Sequence, residues 1–516
     1  MSIDTPNVIT KSAKQFFYGT FLSRISGFFR DAILAFFFGA SPIIAAFMVA
    51  FRFSNLLRRL FGEGTIQSGF IPHFEALKKE DEKKSIYFFR DTFFSLSVVL
   101  VSIVFFIEVI LYFINRNVPS DIIEYSMIML PGLVFICLYS LNAALLQCEN
   151  YYFFSGASPM VFNMVIIGAS LFFRKNNSIG MVLSQAVVLS FFLQWLITFY
   201  KSIQISNVSL KDLISFSLFS TDLKVLIKPI SLGIIGTCAV QINSALDSLF
   251  ARFSDLQGPA FLWYAMRVYQ LPLALFAIAI SSAMLPPLSR AESFEKFKNL
   301  FNVSLNKTLV LMLFSTLGIF VFGGSLINLM YGRGSFSNSS TWQTLYCLWG
   351  YGFGLVFAAL TIIFANVLYA KKNYFIPVVA SVVSVIVNIL LNSIFIFIFD
   401  FSTYAVAYAT SISSLINCFI LGVYLHNKYK IFSKDIIFIF IKIIFCLAVA
   451  FLCVYQVERF LDLKNIGSIW SEEGIFSRDF ITQIVQFSIL FFTYVGAFFS
   501  LGYILKIKEI KSIIKV

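Results

Sequence analysis

Ser23-Arg24-Ile25-Ser26-Gly27-Phe28-Phe29-Arg30-Asp31 is the run that decides how the chain folds. It lies inside residues 15–40, a stretch otherwise apolar and long enough to cross a bilayer, for which ~20 residues suffice. On a helix, Arg24, Gly27 and Asp31 stand at i, i+3 and i+7, and Ser23, Gly27 and Arg30 at i, i+4 and i+7. They form one polar stripe, with glycine at its centre where a ligand or another backbone can approach. The next stretch, 43–72, contains Val49-Ala50-Phe51-Arg52-Phe53-Ser54-Asn55-Leu56-Leu57-Arg58-Arg59. Arg52, Asn55, Arg59 and Glu63 continue one face, Arg58 flanks it, and Gly62 and Gly64 predict a kink.

Working outward, twelve further apolar stretches are long enough to span, near 88–113, 124–147, 153–173, 179–200, 225–250, 260–286, 307–330, 342–368, 375–399, 403–425, 435–456 and 484–506. With the two charged ones the sequence predicts fourteen transmembrane helices in an all-α polytopic membrane protein. Composition agrees: 59% of the 516 residues are apolar and 13% charged, against ~45–50% and ~25% in soluble domains. The connections are mostly short, which leaves no room for a large soluble domain.

The net charge of +13 needs a location. With the N-terminus placed in the cytoplasm, 24 of the 39 Lys and Arg fall in cytoplasmic segments, eight in external loops and seven inside spans. That asymmetry predicts both termini inside the cytoplasmic membrane. Most of the positive charge is therefore a topology signal facing anionic lipid, and nucleic-acid binding need not be invoked.

A weak repeat divides the chain. Leu145–Tyr152 (LLQCENYY) recurs as Leu368–Phe375 (LYAKKNYF), and Gly69-Phe70-Ile71-Pro72 resembles Ala283-Met284-Leu285-Pro286. An offset of about six spans predicts two six-helix lobes in parallel pseudo-repeat, with a substrate site between them. The expected lobes are 1–220 (spans 1–6) and 221–430 (spans 7–12), followed by 431–516, with an appended pair of helices and a cytoplasmic tail.

The seven basic residues inside spans are Arg24, Arg30, Arg52, Arg58, Arg59, Arg267 and Lys442. An arginine at mid-bilayer costs ~2.5–3.5 kcal/mol, and Asp31, Glu63 and Asp247 are the obvious acids able to pair the six arginines. The arginines must then face a water-filled cavity or an anionic ligand, unless they snorkel or form internal ion pairs. Because a guanidinium matches phosphate oxygens with a planar fork of donors, the predicted ligand is a phosphate or diphosphate. Other chemistries lack their residues. Two histidines at span ends make neither a histidine-built zinc site nor a Ser-His-Asp triad. No glycine-rich phosphate loop appears, the seven cysteines sit in apolar surroundings, and residues 1–14 lack the pattern of a removable signal peptide. No organic cofactor is expected.

The same residues carry a family resemblance. Ser23 to Asp31 with Phe38-Gly39-Ala40 resembles the first helix of the MurJ/MviN lipid II flippases, and Val49 to Arg59 with Glu63-Gly64 and Phe70-Ile71-Pro72 resembles the second. Tyr264-Ala265-Met266-Arg267 is similar to that family's eighth-helix motif. The resemblance implies the multidrug/oligosaccharidyl-lipid/polysaccharide exporter fold, a central cationic cavity, and a lateral groove at spans 13 and 14 for a lipid tail. It implies export of undecaprenyl-diphosphate-linked peptidoglycan precursor by alternating access, with cell-wall synthesis machinery as a partner. Arg24, Arg30, Arg52 and Arg267 match the family's essential arginines, with Arg58, Arg59 and Glu63 in the second-helix motif; Ser23 and Asn55 share the substrate-facing stripes. Some members resemble sodium-coupled carriers, which implies a sodium site at Asp247, Asn388, Asn392, Val406 (carbonyl) and Thr410, or coupling to the membrane potential. Asn and Thr in spans also serve as interhelical hydrogen-bonding groups. The chain departs from the family at Ala45, Ser54 and Met266, where Asp, Pro and Asp are common.

Four rival functions follow from the residues, one of them a scaffold that merely binds a lipid-linked precursor. An exporter of another polyprenyl-diphosphate glycan shares the diphosphate and hence the arginines. A drug or cation antiporter calls for an acidic cavity, opposite to this one. A membrane-embedded glycosyltransferase calls for organised carboxylates, and Glu458, Asp462, Glu472, Glu473 and Asp479 in the 457–483 loop form no such motif.

Overall fold

The computed structural model describes residues 6–61, 65–206, 217–218, 226, 241–432, 435–463 and 479–514. All the regular structure among them is helical. The chain divides into two compact units, Met1–Ser248 and Leu249–Val516.

Unit 1 begins with α1 (Pro6–Phe38), α2 (Pro42–Phe61) and α3 (Thr65–Glu80). It continues with α4 (Glu82–Asn117), α5 (Asp121–Met129), α6 (Gly132–Cys148), α7 (Tyr152–Ala157), α8 (Pro159–Phe172) and α9 (Ile179–Ser206). The helix over 241–254, α10, straddles the boundary. Asp81 caps α4 by accepting from the Lys83 amide. Phe70 stacks on both Phe74 and Phe88, at 5.3 Å each, and fastens α3 to α4.

Unit 2 comprises α11 (Gly258–Ser289), α12 (Phe294–Tyr331), α13 (Asn338–Ala370), α14 (Phe375–Ile398), α15 (Tyr404–Tyr429), α16 (Asp435–Leu463), α17 (Phe480–Ile504) and α18 (Lys508–Ile514). Pro272 removes a backbone donor inside α11, and a π turn, Leu273–Ile278, follows it. α16 and α17 pack on α12. Tyr494 stacks on Phe314 at 4.6 Å and donates to the Phe314 carbonyl at 2.7 Å.

Ten of these segments are long and apolar enough to cross a membrane, eleven if α5 and α6, bent by 42°, form one span. The bend falls at Pro131-Gly132. α1 and α2 fall outside that set because of the charges that drew attention to them, and residues 227–240 of the expected seventh span lie outside the described residues. The all-helical multi-pass architecture is thus the one expected. α2 runs unbroken through Ser54 to Phe61.

The two repeat stretches end their helices alike. After α6, Asn150 takes a left-handed conformation (φ 64°) and the Tyr151 amide reaches back to the Leu146 carbonyl at 2.7 Å. After α13, Lys372 does so (φ 57°), and the Asn373 amide reaches the Leu368 carbonyl at 2.9 Å. Both are the same C-terminal cap, but Asn150 matches Lys372 rather than Asn373, one residue from the alignment read by letters. Lys506 closes α17 in the same way (φ 55°). A lysine there bears left-handed strain of ~1–2 kcal/mol, offset in part by its charge beside the helix C-terminus.

Candidate functional site

The polar stripe of α1 separates into two environments. Arg30 and Asp31 are buried, at 8% and 3% exposure. Asp31 Oδ1 accepts from Arg30 Nε at 3.0 Å and from Nη2 at 2.6 Å. Arg30 Nη1 donates to Asn163 Oδ1 on α8 at 3.0 Å, and the guanidinium lies 5.5 Å from the Phe162 ring centroid. Asn163 Nδ2 in turn donates to the Ser23 carbonyl (3.0 Å) and Ser26 Oγ (2.8 Å). One amide therefore fixes both the arginine and the helix that carries it. Gly27 faces the Asn163 amide, with room for a Cβ, which would stand in ordinary contact at 3.5 Å from Nδ2. Arg24, six residues earlier, is exposed, and none of the described residues pairs with it. Ser23 is half-buried.

On α2, Arg52 is buried at 7% exposure, and its Nη1 donates to the Ser244 carbonyl (3.0 Å) and Oγ (3.2 Å) on α10. Asn55 and Arg58 are half-buried and Arg59 is exposed. Glu63 lies outside the described residues. In unit 2, Arg267 on α11 is half-buried, with its guanidinium 4.6 Å from the centroid of the Trp263 ring one turn earlier.

Chemically, the arrangement yields two kinds of cation. Arg30 and Arg52 direct donors to protein oxygens across 133 and 192 residues of chain and so hold α1 to α8 and α2 to α10. Arg24, by contrast, is exposed with no partner among the described residues, and the Arg267 guanidinium lies over an indole in a cation–π arrangement. The letters single out the arginines and miss Asn163, Ser244 and Trp263. Asn163, an amide within an otherwise apolar span, carried a usable signal; Ser244 and Trp263 did not.

Among the residues considered for sodium, four form one string in unit 2. Asn388 and Asn392 are fully buried. Asn392 Nδ2 donates to Asn388 Oδ1 (2.9 Å), Asn388 Nδ2 to Thr410 Oγ1 (3.4 Å), and Thr410 Oγ1 to the Val406 carbonyl (3.0 Å). These bonds tie α14 to α15, and the oxygens involved are of the kind a hard cation takes. Asp247, in unit 1, is 1% exposed and accepts from Asn243 Nδ2 at 3.3 Å.

The fold has solved counterparts. It matches a lipid II flippase MurJ in an inward closed conformation, with TM-score 0.76 and 24% identity, over 95% of this chain and 99% of that one. It also matches an inward-facing multidrug resistance MATE family transporter of the MOP superfamily, with TM-score 0.65 and 13% identity, over 79% and 94%. The fold and the charges set into its helices are those of a multi-pass membrane protein.

Sequence comparison narrows that class. The family model described as lipid II flippase MurJ matches residues 34–467. A probable lipid II flippase MurJ of Chlamydia pneumoniae is 31% identical over 431 residues, 81% of this chain and 77% of the relative. Its counterpart in Aquifex aeolicus is 31% identical over 410 residues, 77% and 80% respectively. The chain belongs to the lipid II flippase MurJ family.

Proposed function

We propose that this protein carries lipid II, the undecaprenyl-diphosphate-linked peptidoglycan precursor, from the inner to the outer leaflet of the bacterial cytoplasmic membrane. The observation that carries the proposal is the contrast on α1: Arg30 is held by Asp31 and Asn163, while Arg24 on the same stripe stays exposed and unpaired among the described residues. Arg24 and Arg267 each take part in binding the diphosphate, access alternates between the two sides of the membrane, and the polyprenyl tail stays in lipid. Both termini are cytoplasmic, and the enzymes that polymerise lipid II outside are the partners this direction implies. Sodium at Asp247, Asn388, Asn392, Val406 and Thr410, or the membrane potential at ~2.3 kcal/mol per charge per 100 mV, drives or resets the cycle.

The test is reconstitution with lipid II in vesicles, followed by leaflet-resolved accessibility of the head group. Transfer that depends on the protein supports the proposal; head groups that stay in their original leaflet contradict it. A second polyprenyl-diphosphate glycan in the same vesicles separates this function from general glycan export. Replacing sodium by choline, and collapsing the potential, separates the two driving forces.

A further inference from the structure

Tyr331-Gly332-Arg333-Gly334, the turn that closes α12, has a part in neither the arginine stripe nor the cation set. It nonetheless bonds to two other elements of unit 2. Arg333 Nη1 donates to the Asn328 and Leu329 carbonyls, at 3.2 and 3.0 Å, and so caps the C-terminus of α12. Its Nη2 donates to Gln483 Oε1 on α17 at 3.1 Å, and the guanidinium sits 4.4 Å from the centroid of the Phe480 ring. Gln483 is 1% exposed. One side chain therefore joins the end of α12 to the start of α17, in the appended helix pair.

The turn also reaches the other way. Tyr331, two residues before Arg333, packs on Tyr264 of α11 with ring centroids 4.7 Å apart, and Phe336 closes on Tyr264 at 5.4 Å. Tyr264 is wholly buried and lies one turn before Arg267, next to the Trp263 whose ring Arg267 covers. Space around the turn is tight: a Cβ on Gly332 would overlap Asn328 Oδ1 at 1.6 Å, and Gly334 has φ 68°. The turn has little freedom to absorb a shift on one side without passing it to the other.

We propose that Arg333 is a positioning residue through which the appended helix α17 sets the placement of α11, and with it Arg267. The inference rests on the proposed role of Arg267 in diphosphate binding. Deeper in the membrane, Tyr494 and Phe314 hold α17 to α12. Near its other end, α18 contributes Glu509, which accepts from Asn306 Nδ2 at 3.1 Å. Arg333 thus ties α17 to the end of α12 that carries Tyr331, the residue packed on Tyr264 of α11. A rearrangement of the appended pair at Phe480 and Gln483 then reaches Arg267 through Arg333, Tyr331 and Tyr264.

The experiment places nitroxides at Ile481→Cys on α17 and Leu271→Cys on α11, in a variant whose native cysteines are replaced. Distance distributions in nanodiscs are measured beside lipid II flux in vesicles. Arg333→Ala is expected to broaden the distribution and lower flux by about fivefold or more, the lower end of coupling between linked elements. Arg333→Lys keeps the charge over Phe480 but lacks the fork, so it falls between. The Phe480→Ala/Gln483→Leu double variant removes the same contacts from α17 and reproduces the effect even where Arg333→Ala folds poorly. An unchanged distribution in both Arg333→Ala and the double variant overturns the inference, whatever happens to flux. Wild-type flux with a broadened distribution instead overturns the role of Arg267 in diphosphate binding, since α11 then moves without affecting transport. Because the distances are read without lipid II, failure of the positioning role is distinguishable from failure of the diphosphate proposal.

Discussion

The dipeptide Arg-Asp occurs buried at two places in unit 1, with the same internal geometry and different surroundings. In α1, Asp31 Oδ1 accepts from Arg30 Nε and Nη2 at 3.0 and 2.6 Å. In α4, Asp91 Oδ1 accepts from Arg90 Nε and Nη2 at 2.9 and 2.7 Å. Asp91 also accepts from the Ser217 amide at 3.2 Å, and Ser95 Oγ donates to the Leu218 carbonyl at 3.1 Å, so this pair pins the chain that follows α9 onto α4. The α1 pair is held instead by Asn163 and shares its helix with the exposed Arg24. A buried Arg-Asp fork is therefore a structural device wherever it stands. What distinguishes α1 is Arg24, on the same stripe as the fork, which has no partner among the described residues.

The comparison breaks most visibly at the carboxylates. Asp31→Ala and Asp91→Ala each strand a buried guanidinium and are expected to destabilise the protein by ~3–5 kcal/mol, read as thermal unfolding in detergent. Flux per folded molecule should fall for Asp31→Ala and survive for Asp91→Ala; equal flux losses would mean that the two forks play the same part. Next in size is Asn163→Leu, which removes the acceptor of Arg30 and the donor to Ser23 and Ser26. The loss should be ~1–3 kcal/mol for the stranded polar groups, with flux restored more fully by Asn163→Gln than by Asn163→Leu.

A smaller change of opposite sign is expected at Lys372. Lys372→Gly relieves left-handed strain worth ~1–2 kcal/mol but removes a charge from the helix C-terminus worth ~0.3–1 kcal/mol. A modest net rise in unfolding temperature should result. The smallest effect belongs to Asp479, an exposed carboxylate at the start of α17. The Thr482 hydroxyl, and after it the Ile481 and Thr482 amides, hold its carboxyl below the usual range. A depressed folded value means the cap is present above the ordinary carboxylate range and is lost as pH falls through the depressed value. Hydrogen exchange at Ile481 and Thr482 should speed up in acid, and Asp479→Asn should lessen that pH dependence.

Much of this was legible in the letters because charge inside an apolar stretch is costly and so seldom accidental. The spacing of Ser23, Arg24, Gly27, Arg30 and Asp31 gave the stripe, whereas the break at Pro131-Gly132 lies inside the stretch 124–147 that reads as one span. The split within the stripe was not legible. Whether an arginine is satisfied depends on groups such as Asn163, 133 residues away, and Ser244, 192 residues away, and no local pattern encodes those partners. The one-residue shift between Asn150 and Lys372 was hidden for a similar reason, since a helix cap is set by backbone conformation and either side chain can adopt it.

The central claim is that Arg24 and Arg267 each take part in binding the diphosphate. Its most direct test is leaflet-resolved lipid II accessibility with Arg24→Ala and Arg267→Ala, each checked for wild-type folding. The account predicts that both variants fold and that lipid II stays in the inner leaflet. Full export by both would contradict it.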